Sequence, residues 1–189
     1  MTRIRGQGAR LMESAMQREK KTAAVVEDTV QLVTFQVGSE EYGLDINAII
    51  EVIRPLKITP LPRMPEFIEG VVNLRGLIIP IVDLRKRFAL AEIHNEPRKM
   101  RMVITKGAIP AGGRRGKELL GLVVDRVKEV LHVPRKEIAP PPGAATGEQA
   151  DFISGMGKVG ERLIIVVDIT KILSPQERSA LEEAGHAEY

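Results

Sequence analysis

The chain has 189 residues, 43% of them hydrophobic and 28% charged, with 28 basic against 25 acidic side chains and a formal net charge of +3. That length suits one compact domain or two small ones, and the absence of cysteine excludes disulfides, thiol nucleophiles and thiolate metal sites together. His94, His132 and His186 are far apart, no apolar run approaches the ~18–20 residues of a membrane span, and no apolar stretch backs the basic start, so a cytosolic soluble protein is expected.

Residues 1–30 hold six basic side chains and few branched aliphatics, and read as a flexible tail. From residue 31 the texture is β. Gln31-Leu-Val-Thr-Phe-Gln-Val37 alternates, Gly38-Ser39 turns it, and Tyr42-Gly-Leu-Asp-Ile46 is the return strand. Ile46, Ile49, Ile50 and Ile53 have helical spacing behind a capping Asp45, yet the β-branched run also suits a strand. Pro55, Pro60, Pro62 and Pro65 keep regular structure out of the next connection. Val71–Leu84 reads as a second hairpin turning at Arg75-Gly76, with Pro80 marking an edge or a bulge. Strands follow at 100–105, 118–124 and 127–133, the first two joined by a basic, glycine-rich loop at 107–117. The last hairpin turns near Gly160-Glu161, a short helical piece occupies 169–173, and 174–189 is a polar terminal segment.

The chain also repeats itself. Phe67–Phe88 lies over Phe152–Leu173 at a constant offset of 85, with Phe67/Phe152, Gly70/Gly155 and Asp83/Asp168 identical. Tyr42–Ile53 lies over Leu120–Leu131 at an offset of 78, with Gly43/Gly121, Glu51/Glu129 and Val52/Val130 identical. Gly121–Leu131 has no helical spacing, so the repeat turns Ile46–Ile53 into a short turn and a strand. Two copies of one unit, at roughly 31–90 and 91–173, predict an all-β chain of two small barrels with pseudo-symmetry.

The runs Glu40-Glu-Tyr-Gly-Leu-Asp-Ile46, Pro65-Glu-Phe-Ile-Glu-Gly-Val-Val-Asn-Leu-Arg-Gly76 and Ile79-Pro-Ile-Val-Asp-Leu-Arg85 closely resemble the CheW family, the coupling proteins of bacterial chemotaxis arrays. Gly121-Leu-Val-Val-Asp125 and Phe152-Ile-Ser-Gly155 resemble the matching segments of its second half. The resemblance covers about 31–173. It implies two pseudo-symmetric five-stranded SH3-like barrels packed side by side with a groove between them, and a scaffold without catalysis or cofactor. The implied partners are the regulatory domain of a CheA-type histidine kinase, the cytoplasmic tip of a chemoreceptor and other CheW-like proteins in array rings. Neither a small-molecule substrate nor membrane insertion is implied.

By the same resemblance Ile46, Ile49, Gly70 and Val71 match a kinase-binding region, and Glu51, Arg75, Gly121, Val127 and Val130 match receptor-binding positions. Each has a structural alternative. The isoleucines and valines fit a core equally well, Gly70 fits a backbone requirement, and Glu51 with Arg75 fits an exposed salt bridge. Asp45, Asp83, Asp125 and Asp168 are the only carboxylates with a catalytic look, and Asp83 and Asp168 are repeat mates at strand ends, a structural signature. No nucleophile triad, metal-ligand spacing or phosphate-cradling loop is present. A second function class stays open: the tail and the 98–117 loop, with Arg98, Lys99, Arg101, Lys106, Arg114, Arg115 and Lys117, could bind nucleic acid or an anionic surface. Six aromatics and no Trp argue against single-strand stacking.

Overall fold

The computed structural model describes residues 28–90, 96–110, 118–141 and 151–186, so all but the last three residues of the expected 1–30 tail and most of the 107–117 loop lie outside the described residues, and the first strand begins inside that expected tail, at Thr29. The strands are β1 (Thr29–Val37), β2 (Glu40–Asp45), β3 (Ile49–Ile53), β4 (Ile68–Leu74), β5 (Leu77–Asp83), β6 (Arg101–Pro110), β7 (Glu118–Val124), β8 (Arg126–Pro134), β9 (Ile138–Ala139), β10 (Ile153–Val159) and β11 (Arg162–Val167). A single-turn helix α1 (Leu84–Arg87) follows β5, and α2 (Pro175–His186) follows β11.

Strand order is β3-β6-β7-β5-β4 in a five-stranded sheet and β8-β1-β2-β11-β10-β9 in a six-stranded one. Exchanging the repeats (β1 with β6, β2 with β7, β3 with β8, β4 with β10, β5 with β11) turns one order into the other, apart from β9. Each sheet even carries its parallel pair at the matching place, Ile81 opposite Gly121 and Val166 opposite Gly43. The duplication is therefore real, but the barrels do not follow the 31–90 and 91–173 division. Each repeat gives its first hairpin to the other barrel. The chain crosses between sheets only twice among the described residues, through the 3-10 turn Ile46–Ala48 and through the single residue Asp125. Alternation along a strand dictates which face is buried and leaves the pairing partner open. The tight crossings make the choice.

Thr59 explains the unequal strand counts. It bridges Val71 through paired backbone hydrogen bonds of 2.8 Å, where the other barrel has β9 beside β10. At both of these pairings there is no room for a side chain on the facing glycine. A Cβ on Gly70, at φ 133°, would lie 2.0 Å from the Thr59 carbonyl oxygen, and one on Gly155 would lie 2.5 Å from Ile138 Cγ2. Pro80 does not lie on an edge: β5 is interior, and its parallel pairing to β7 begins one residue later at Ile81, so no donor is missed.

The largest core lies at the seam between the barrels and draws Phe35, Leu44, Val82, Leu122 and Val167 from both. An aromatic ladder crosses it, Phe35 to Tyr42 to Phe88 to Phe152, with centroids 6.1, 4.7 and 4.5 Å apart. Burial there pushes the Tyr42 phenol up to about 12. Arg87 stacks over the repeat mates Phe67 and Phe152 at 4.7 and 5.9 Å and donates to the Ile172 carbonyl at 2.7 Å. The polar segment 174–189 contains α2, whose Leu181 is buried in this core. Its start is a capping box: Ser174 N–H donates to Glu177 Oε2 at 2.7 Å, Glu177 N–H to Ser174 Oγ at 3.3 Å, and Pro175 opens the helix.

Candidate functional site

The aspartates are structural. Asp45, Asp83 and Asp168 accept from the backbone N–H of Asn47, Arg85 and Thr170 at 2.8, 2.8 and 2.9 Å, each capping the turn it precedes. Asp125 pairs with the buried Arg85 and accepts from Gly38 N–H at 2.8 Å, pinning the second crossing. Asp83 is desolvated, which raises its pKa against two backbone hydrogen bonds that lower it. Among the described residues no group of three or more His, Asp and Glu could hold a metal ion.

The five-stranded barrel presents an open groove of about 800 Å³. Leu74, Leu77, Ile79, Ile104 and Leu119 form its apolar wall, Ile50 stands at its edge, and Glu51, Arg75, Lys106 and Glu118 supply charge. β3 is an edge strand of this sheet, and its outward side is apolar: Ile50 is 48% and Val52 41% exposed. Burial alternates along the strand, which puts these two side chains on its outward side. Arg75 sits at the tip of the β4–β5 hairpin with φ 56°, followed by Gly76 at 82°, the backbone of a two-residue type I′ turn. Asn73 Oδ1 braces that turn by accepting from Gly76 N–H at 2.9 Å. From there the guanidinium reaches Glu51 with both nitrogens, at 3.2 and 3.1 Å, and stays 76% exposed.

The other expected site residues are distributed. Ile46 and Ile49 flank the first crossing, both half-buried, with Ile49 packed on the seam core. Val71 is half-exposed beside Thr59, and Gly70 shapes the backbone there. Gly121 is buried: a Cβ would lie 2.4 Å from Ile81 Cδ1, so it bears on any partner only through packing. Val127 and Val130 lie in the six-stranded barrel on edge strand β8, Val127 against the seam core and Val130 45% exposed. Sequence reasoning missed Ile50, Val52 and the leucines of the groove wall. The available signal was Ile49-Ile-Glu-Val-Ile53, apolar on both faces of one short strand.

The basic run 98–117 is in part internally tied. Lys99 pairs with Glu96, and Arg101 donates to the carbonyls of Arg98 and Met100 at 3.0 and 2.7 Å. Lys106 stands on the groove rim, and Arg114, Arg115 and Lys117 lie, like residues 1–27, outside the described residues.

Duplicated SH3-like barrels, with acids serving as caps and an apolar, charge-rimmed groove left open, define a protein-binding module. The comparisons give the family: the chain belongs to the CheW-like domain family, whose model matches residues 31–177. It is 37% identical over 162 residues to the chemotaxis protein CheW of Treponema pallidum, covering 84% of this chain and 90% of that protein. The chemotaxis protein CheW of Klebsiella aerogenes is 35% identical over 155 residues, covering 82% and 88%. The crystal structure of the scaffolding protein TtCheW from Thermoanaerobacter tengcongensis is similar with a TM-score of 0.67 at 33% identity, covering 79% of this chain and 95% of that one. The chain is a scaffold-type adaptor of chemotaxis signalling.

Proposed function

We propose that this adaptor is non-catalytic and cytoplasmic, and that it joins the cytoplasmic tip of a chemoreceptor to the regulatory domain of a CheA-type histidine kinase. Both partners recruit it to membrane-associated arrays, where it packs against further CheW-like proteins. The observation that carries this reading is the groove. A receptor tip is a helical hairpin, and an apolar trough rimmed by Glu51, Arg75, Lys106 and Glu118 suits a helix with an apolar ridge and polar flanks. Glu51 and Arg75 set the register of that helix, and Val127 and Val130 extend the receptor contact, with Gly121 acting through the packing of Ile81 and Ile104. Ile46, Ile49 and Val71 form the kinase contact, on a backbone that Gly70 shapes.

Calorimetric titration of a receptor-tip hairpin tests the assignment. Ile50→Asp is expected to weaken that binding at least tenfold and to leave kinase-domain affinity within twofold. Unchanged receptor binding by a folded Ile50→Asp protein would remove the groove from the receptor contact.

A further inference from the structure

The duplication allows the two barrel ends to be compared position by position. In the five-stranded barrel the groove is made by Ile50, Leu77 and Leu119 beside Glu51. The offsets of 78 and 85, matched by the strand orders, put Lys128, Arg162, Glu41 and Glu129 at those four positions in the six-stranded barrel. Of these four positions only that of the glutamate is the same at both ends. Three apolar side chains have become one acid and two bases, and these bond to one another. Lys128 Nζ donates to Glu41 Oε2 at 2.8 Å. Arg162 Nη1 lies 3.5 Å from Glu41 Oε1 and donates to Glu129 Oε1 at 2.7 Å. Glu41 is as buried as the leucine it corresponds to, 8% against 6% exposed for Leu119. A carboxylate at that depth is tolerated because Lys128 bonds one of its oxygens and the Arg162 guanidinium faces the other, which accepts no hydrogen bond. Glu129 and Glu41 in turn hold the Arg162 guanidinium above its ordinary pKa.

We propose that Glu41, Lys128, Arg162 and Glu129 are a specificity device: they close, at the end of the six-stranded barrel, the groove that the five-stranded barrel leaves open. An apolar ridge entering the closed end would have to displace the partners of Glu41 and leave buried charge unpaired, so that end takes no ridge into a groove, and Val127 and Val130 on the same strand meet the receptor only from outside it. The duplicated fold thereby offers one seat for a helical ridge, and its orientation in an assembly is unambiguous. The identity of the ridge rests on the receptor reading above; the closure of the second groove does not.

Two reciprocal grafts test it, read first with the apolar dye anilinonaphthalene sulfonate. Glu41→Leu, Lys128→Ile and Arg162→Leu together, in an Ile50→Asp background, are expected to restore the dye site that Ile50→Asp alone removes. No restored dye binding in a folded variant overturns the proposal. Because removing a buried network can unfold the barrel, the opposite graft decides independently. Ile50→Lys, Leu77→Arg and Leu119→Glu should close the five-stranded groove and cut dye affinity at least tenfold, with cooperative melting retained. Dye binding at the wild-type level overturns the proposal. A receptor-tip titration separates the two readings: with the opened end and an intact Ile50, stoichiometry rises from one to two. If the wild-type chain takes up dye and no receptor fragment, the receptor assignment fails while the dye results still decide the closure.

Discussion

At Arg75 the demands of the fold can be separated from those of the proposed receptor binding. It holds a left-handed backbone, φ 56°, which costs a residue with a Cβ about 1–2 kcal/mol. Its ion pair with Glu51 contributes about 0–1 kcal/mol, because the arginine is largely in solvent. Stability alone therefore favours glycine at this turn position. Arg75→Ala loses the ion pair and keeps the strain, a net loss of at most about 1 kcal/mol. Arg75→Gly loses the same pair and sheds the strain, partly offset by the roughly 0.4–1 kcal/mol of extra freedom glycine gives the unfolded chain. The glycine variant should melt about 2–4 °C above the alanine variant and close to wild type. Receptor binding should fall in both, by about 2 kcal/mol or some 30-fold, the usual cost of truncating an interfacial arginine. Thermal melts and calorimetric titrations of the three proteins measure both quantities. A glycine variant that melts below the alanine variant would show that the backbone at Arg75 carries no strain, and one that binds receptor like wild type would remove the guanidinium from the receptor contact.

Three further outcomes are expected. Gly70→Ala should cost about 3 kcal/mol or more and yield little folded protein, since its Cβ would meet the Thr59 carbonyl at 2.0 Å with φ 133°; soluble expression and urea melts check it. Leu181→Ala should cost about 2–5 kcal/mol in the same melts, because α2 belongs to the seam core. Asp83 gives a pH signature. Its folded pKa lies above the ordinary 3.8, so the native state holds this proton more tightly than the unfolded one, and stability drops as pH rises from 3.8 through the raised value. Asp83→Asn, which retains the cap, should remove that descent, so the variant gains on wild type as pH climbs through this window. A flat difference curve between the two proteins would contradict the assignment.

The strands and the duplication were legible because alternation and internal identity are local properties of the text. Period-two patterning in 31–37, the apolar run at 118–124 and glycine at the hairpin tips Gly38, Gly76 and Gly160 mark the strands they belong to or flank. The exchange of hairpins was not legible: β1 reads the same whether it pairs with β6 or, as it does, with β8. α2 was readable in principle, since Ser174-Pro-Gln-Glu177 is a capping box, but its polar composition hid the one leucine that docks it. At the site, Glu51 and Arg75 were singled out by resemblance, and the structure contains the exposed salt bridge that stood as their structural alternative. The ion network could not be read in advance, because Lys128 and Glu41 are 87 positions apart and meet only through β1–β8 pairing and barrel closure.

The proposed function requires that one chain hold receptor and kinase at the same time on different surfaces. The direct measurement is sedimentation velocity of the intact chain with a receptor-tip hairpin and a CheA-type regulatory domain, singly and together. The two partners are expected to co-sediment only when the chain is present, as a ternary complex that Ile50→Asp depletes of receptor while its kinase complex persists. Partners that displace one another from the chain, so that only binary complexes form, would contradict it.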